Sequence, residues 1–65
     1  MKTLSEKQEE RLQDEIYHLM KDFRKDGFDF VGRRPRNNNK YIELEFHEVY
    51  GEGVRFVVID VDSLN

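Results

Sequence analysis

Residues 41–47 read Tyr-Ile-Glu-Leu-Glu-Phe-His, an alternation of apolar and polar side chains that decides the fold of this 65-residue chain. Ile42, Leu44 and Phe46 alternate with charged or polar neighbours, the period of a β-strand with one buried and one solvated face. The buried face of such a strand needs an apolar layer to pack against. A helix upstream in the chain can supply that layer.

This helix is predicted over residues 4–26. An apolar stripe at the helical period identifies it: Leu12, Ile16, Leu19, Met20 and Phe23. Two candidate capping boxes, beginning at Thr3 and at Ser5, mark its start, and Gly27 suits a left-handed residue just past its end. Residues 5–11 carry no apolar side chain. We therefore expect the first two turns to overhang the domain, to fray or to pack on another molecule.

Two further strands complete a predicted α+β fold. Strands are expected over residues 28–34, 40–48 and 54–61, separated by a Pro- and Asn-rich turn and by a Gly-rich turn. The chain is expected to form one small domain, residues 1–65, with one N-terminal helix packed on a three-stranded, mostly antiparallel sheet (α-β-β-β). The simplest strand order is a meander. A rival order places the last strand centrally, parallel to the first.

The last strand is apolar on both faces. One face carries Val54, Phe56 and Val58, and the other carries Val57, Ile59 and Val61. One helix covers only one face of a sheet, so we expect a second copy of the chain to cover the other. We assign Val57, Ile59 and Val61 to this homodimer interface. The alternative is a twisted sheet that leaves part of the strand exposed.

The charges of the chain are segregated along the sequence. The net charge is −3, but residues 27–40 carry +3 and residues 41–65 carry −5. Arg33, Arg34 and Arg36 lie in the predicted hairpin of residues 33–40, which ends at Lys40, and could contact phosphate. The acidic pI of about 5.3 argues against nucleic-acid binding, which is kept as the alternative function. A hairpin that is simply solvated is a further interpretation.

The sequence shows little that indicates catalysis. The chain has no cysteine, and its two histidines, His18 and His47, lack the spacing of a zinc motif. Acidic residues recur at alternate positions near residues 43–45 and 60–62, which is more typical of a solvated strand face than of a cation site. We expect no enzymatic activity, no cofactor and no metal site.

The expected function is therefore that of a small acidic protein-binding module. No apolar run is long enough to cross a membrane, so a cytoplasmic protein is expected. An adaptor or inhibitor with a regulatory role, of the kind found in phages and other mobile elements, would suit such a chain. Its protein partner is unknown. The arginines of the hairpin, together with Tyr41 and Tyr50, are the predicted partner contacts, because Tyr and Arg are enriched at interface hot spots. No motif is specific enough to indicate a family.

Overall fold

The computed structural model describes residues 4–65, and its elements follow the predicted order. They are α1 (Glu6–Arg24), β1 (Phe28–Arg36), β2 (Tyr41–Glu48), β3 (Val54–Asp60) and a 3-10 turn (Val61–Leu64). The strands form one antiparallel sheet in the order β1-β2-β3. The α+β fold and the meander are thus confirmed, and the rival parallel order is wrong.

Helix α1 begins with a capping box. The side chain of Ser5 accepts a hydrogen bond from the backbone N–H of Gln8, whose side chain accepts one from the Ser5 N–H. The other candidate, Thr3, lies outside the described residues. At the far end, Gly27 has a φ of 85°, as expected for the left-handed residue after a helix. Within residues 4–65, no helix is long and apolar enough to cross a membrane.

The polar first turns of α1 are held by side-chain contacts with the rest of the chain. Glu9 forms an ion pair of 2.5 Å with Arg33 of β1, and the Gln8 amide donates to the side-chain oxygen of Asn65 at 2.8 Å. Leu4, just before the helix, packs against the core. The expectation that these turns overhang or fray is therefore wrong, and packing on another molecule stays a prediction.

Strand β1 departs from the simple alternation predicted for it. A bulge between Phe30 and Gly32 leaves Val31 without a partner on β2 and reverses the faces of the residues that follow. Arg33 and Pro35 therefore point to the helix side, where a regular strand would place Gly32. The strand also runs two residues beyond the predicted end, because an edge strand tolerates proline.

The turn between β1 and β2 is shorter than predicted. Asn37, Asn38 and Asn39 all have positive φ angles, 52°, 55° and 67°. The Lys40 N–H closes the turn by donating to the Asn37 carbonyl oxygen at 3.1 Å. Asn is among the few non-Gly residues that adopt this left-handed conformation routinely, which explains three in succession here.

The core lies between α1, the inner face of the sheet and the 3-10 turn. Its buried members are Leu12, Ile16, Ile42, Leu44, Phe46, Val61 and Leu64. Phe46 is fully buried at its centre, with ring centroids of Phe23 at 4.7 Å and Phe30 at 5.5 Å. These tilted and edge-on aromatic contacts favour one arrangement of helix on sheet.

An arginine closes the aromatic end of this core. The guanidinium of Arg55 lies over the rings of Phe28 and Phe23, 4.2 and 4.7 Å from their centroids. It also forms an ion pair with Asp26 at 3.3 Å. The charge is thus balanced while the side chain shields the aromatic rings from water.

Of the residues predicted for the dimer interface, Val61 is placed inside the domain rather than on a free face. Val61 is buried in the core, and Val57 and Ile59 are half-buried against it. The chain therefore covers this face itself, through α1 and the 3-10 turn. The uncovered apolar residues of β3 lie on the opposite face of the sheet.

The backbone of Gly27 provides a test of the helix end. In Gly27→Ala, we expect the free energy of unfolding to fall by about 1 kcal/mol, because a Cβ disfavours the left-handed conformation. Gly32→Ala is the matched control, since both sites have open space around the new Cβ but only Gly27 has positive φ. Urea unfolding of both variants measures the difference. Equal losses would contradict this explanation.

Candidate protein-interaction surface

One face of the sheet has no covering element among residues 4–65, and we call it the open face. Its residues follow from the register of the strands and from the faces that the core residues occupy. They are Asp29, Gly32, Arg34 and Arg36 on β1; Tyr41, Glu43, Glu45 and His47 on β2; and Val54, Phe56, Val58 and Asp60 on β3. Each strand contributes a row of different chemistry.

The row on β3 is apolar and exposed. Val54, Phe56 and Val58 leave 50%, 53% and 59% of their surface accessible to solvent. They stand at every second position of one strand, so they form a continuous line, which we call the apolar row. Contiguous exposed apolar side chains mark interaction surfaces more often than isolated ones do.

Glu43 and Glu45 form an acidic row on β2, and both contact side chains of the same chain. Arg36 pairs with Glu43 across the β1–β2 ladder at 2.9 Å, and Glu45 contacts the ring nitrogen Nε2 of His47. Asp60, at the end of β3, accepts a hydrogen bond from the Asp62 N–H at 3.0 Å. Within residues 4–65, no three His, Asp or Glu side chains are grouped so that they could hold a metal ion.

The predicted partner residues do not form one surface. Arg34, Arg36 and Tyr41 lie together on the open face near the β1–β2 turn, whereas the bulge sends Arg33 to the helix side. Tyr50 is 98% exposed in the turn at the other end of β2. Tyr41 begins β2 and Tyr50 follows its end, so the length of this strand, about 25 Å, separates the two tyrosines.

The positive charge of the hairpin is also partly neutralised. Arg33 is paired with Glu9 and Arg36 with Glu43, while the Lys40 ammonium lies 5.6 Å from the centroid of the Tyr41 ring. In the part of the chain that the structure describes, Arg34 forms no ion pair. Two of the three arginines proposed for phosphate contact are thus already bound to carboxylates.

A second concave surface lies on the helix side of the sheet. This open groove of about 950 Å³ runs between the first half of α1 and the end of β1. Its lining combines apolar Leu4, Pro35 and Ile42 with several carboxylates of α1. The Arg33–Glu9 pair forms part of its wall. The groove therefore combines apolar surface with carboxylates, one of which, Glu9, is paired with Arg33.

The exposed apolar residues of β3 were not among the predicted partner contacts. The alternation of β3 identified Val54, Phe56 and Val58 as one of two apolar rows, and that was the available signal. Which of the two rows faces the core depends on Val61 and Leu64. They pack in the core with α1, so the row on their side of the sheet, Val57 and Ile59, turns inward. Only the three-dimensional arrangement reveals that choice.

No family model matches the chain, and neither a curated protein nor a solved structure shows significant similarity to it. The open face is therefore the basis for assigning a function.

The ion pair on the open face can be measured by a double-mutant cycle. For Arg36→Gln and Glu43→Gln, we expect a coupling free energy of roughly 0.5–1 kcal/mol, reduced by about 1 M salt, because the pair is partly exposed. Arg34 lies directly opposite Glu43 in the ladder but is not paired with it, so Arg34→Gln supplies the matched cycle. Urea unfolding gives all the free energies. A larger coupling for Arg34 would contradict the pairing.

Proposed function

We propose that this protein is a non-catalytic protein-binding module that binds through its open face. The apolar row carries the proposal. Phe56 stands at its centre, half-exposed between Val54 and Val58, and no element within residues 4–65 covers it. An exposed aromatic side chain flanked by aliphatic ones is the kind of anchor that interface hot spots use.

The surroundings of the apolar row also support binding to a protein. Glu43 and Glu45, its neighbours on β2, are each in contact with a partner side chain of the same face. A binding partner would therefore meet an apolar strip bordered by carboxylates that already contact side chains of the same face. Interfaces commonly combine an apolar centre with a polar rim in this way.

The distribution of reactive side chains favours a binding role over a catalytic one. His47 contacts Glu45 on the open face, whereas His18 is exposed on α1, edge-on to Tyr17 with ring centroids 6.1 Å apart. The two histidines thus belong to different surfaces. A small adaptor or inhibitor of another cytoplasmic protein is the role that such a surface suits.

Nucleic-acid binding is the second candidate function. It is supported by Arg34, which forms no ion pair within residues 4–65, and by Lys40 beside the exposed Asn turn. The hairpin would present these cations to phosphate. This candidate requires retention on nucleic acid that falls steeply as salt rises and is lost in Arg34→Glu.

The proposed function predicts that Phe56 is needed to capture a partner protein. The immobilised chain should retain a protein from a lysate of the source cells, with or without nuclease treatment. Phe56→Ser should lower this retention at least tenfold, since truncating a hot-spot aromatic costs about 2 kcal/mol or more. Tyr17→Ser is the matched control, because Tyr17 is an exposed aromatic on α1.

Circular dichroism should first establish that both variants are folded. Retention that survives Phe56→Ser would contradict the proposed surface. Retention that disappears after nuclease treatment and in Arg34→Glu would instead identify the nucleic-acid function.

A further inference from the structure

The two edges of the sheet differ in their readiness to accept another strand. The edge of β1 is interrupted by the bulge at Val31 and by Pro35, and it is flanked by arginines. Ile42, the partner of Pro35, bonds in the opposite direction to β3, so the missing N–H of Pro35 lies on the free edge. Bulges, proline and charge are the usual means by which proteins block an edge.

The edge of β3 lacks such blocks. Its seven residues include no proline or glycine, and its pairing with β2 shows no bulge. The only charged residues of the strand are Arg55, which is engaged with Asp26 and two aromatic rings, and Asp60 at its end. The backbone of β3 is therefore open to a further strand from Val54 to Ile59, whereas the Asp60 carbonyl oxygen accepts a hydrogen bond from the Ser63 hydroxyl at 2.6 Å.

The hydrogen bonds at the two ends of the β2–β3 ladder show which backbone groups are free. The Glu48 N–H donates to Gly53 at 2.8 Å, and the Val61 N–H donates to Lys40 at 3.0 Å. Bonded and non-bonded pairs alternate along an antiparallel ladder. Arg55, Val57 and Ile59 therefore bond to β2. The outward backbone groups are those of Val54, Phe56, Val58 and Asp60, and of these the Asp60 carbonyl oxygen already accepts a hydrogen bond from the Ser63 hydroxyl.

The residues with free backbone groups are thus the residues of the apolar row. A strand added at this edge would form its hydrogen bonds with Val54, Phe56 and Val58 and would set its own side chains beside theirs. The strand must therefore be apolar on the same face. β3 itself satisfies this requirement.

We propose that β3 pairs antiparallel with β3 of a second copy, about a twofold axis, to form a six-stranded sheet. This inference rests on the proposed protein-binding function and names the partner. In the register centred on Val57, Phe56 lies opposite Val58 of the second copy and Val54 lies opposite its Asp60. All seven residues of β3 then lie opposite a residue of the second copy, and the free backbone groups of Phe56 bond to those of Val58 in that copy.

The junction of the two β3 strands, which we call the seam, is also apolar on the helix side of the sheet. Val57 lies opposite itself at the axis, and Ile59 lies opposite the aliphatic part of Arg55 of the second copy. Val57 and Ile59 are only half-buried in the single chain, so pairing covers them further. Edge pairing thus explains why both faces of β3 are apolar. A second copy that covered only one face of the sheet would not explain it.

Charge favours edge pairing over stacking of the two open faces. A stack centred on β2 would bury Glu43 and Glu45, together with their partners Arg36 and His47, between the two copies. Edge pairing separates the two acidic rows by three strand spacings, about 14 Å, which exceeds the screening length of ~8 Å at physiological salt. It keeps like charges apart while the apolar rows meet.

The small area of the seam indicates that the dimer is weak. One strand of seven residues per copy buries less than the roughly 1,200 Å² at which stable interfaces begin, so a dimer that dissociates on dilution is expected. Sedimentation equilibrium of the purified chain should show a mass that rises from 7.9 kDa towards twice that value as concentration increases to ~1 mM.

Two variants test the geometry. Val58→Pro removes an outward N–H and no bond to β2, so it should remain folded by circular dichroism and stay monomeric at every concentration. Phe56→Lys should also abolish the dimer. Val31→Lys is its matched control, because Val31 is 55% exposed on the other edge strand and should leave the mass unchanged.

Amide hydrogen exchange gives a readout of the seam itself. The N–H groups of Phe56 and Val58 should exchange rapidly in dilute solution and at least tenfold more slowly at high concentration. Those of Arg55 and Val57 should be protected at both concentrations, since they bond to β2. Rapid exchange of Phe56 and Val58 in a dimeric sample would overturn edge pairing.

The remaining outcomes separate this inference from the proposed function. A mass of 7.9 kDa at all concentrations overturns the second copy as occupant, whereas Phe56-dependent capture of another protein would still support the binding function. A dimer that survives Val58→Pro but not Phe56→Lys would show stacked faces and overturn edge pairing. A chain that neither dimerises nor captures a protein through Phe56 overturns both.

Discussion

A single helix covers only one face of a three-stranded sheet, and the rest of this structure depends on that constraint. The inner row of β2 is buried, with Leu44 and Phe46 at 0% exposure in one core with Leu12 of α1. Burial of this kind contributes on the order of 2 kcal/mol per large side chain, so it fixes which face of the sheet turns inward. Every side chain on the other face must then either tolerate water or find a partner from outside the domain.

The bulge at Val31 divides the basic hairpin between the two faces. Before it, Phe28 and Phe30 pack towards the core; after it, Arg33 takes the inward position and meets Glu9 of α1. That ion pair holds the polar first turns of the helix, which lack an apolar stripe of their own. The same bulge leaves Arg36 on the open face opposite the acidic row. The one inserted residue therefore has three effects: it lets Arg33 hold the start of the helix, it interrupts the edge of β1, and it places Arg36 beside the acidic row.

The order of the elements could be predicted from the sequence because two periods are clear. The stripe from Leu12 to Phe23 has the helical period, and residues 41–47 have the strand period, so the fold class and the approximate boundaries follow. The bulge has only a weak signal, since a lone glycine inside a strand, here Gly32, suggests a bulge but does not show which residues change faces. The predicted grouping of Arg33 with Arg34 and Arg36 was therefore wrong in space although the three are close in sequence.

The orientation of β3 was ambiguous for a different reason. Both of its rows are apolar, so alternation alone could not identify the inward one. The deciding contacts come from Val61 and Leu64, which follow the strand in a 3-10 turn and reach the core. A local pattern does not encode such a contact, because it depends on where the helix lies relative to the end of the chain.

Strand β3 remains unusual within so charged a chain. Charged residues make up 38% of the sequence, and β1 uses arginine, proline and a bulge at its edge, yet the edge of β3 carries valine and phenylalanine. An open apolar edge is a liability in a protein that works alone, because it invites unspecific pairing. The contrast between two edges of one small sheet therefore points to a binding role for β3. The free backbone groups and the exposed apolar side chains belong to the same residues, so a single added strand would satisfy both.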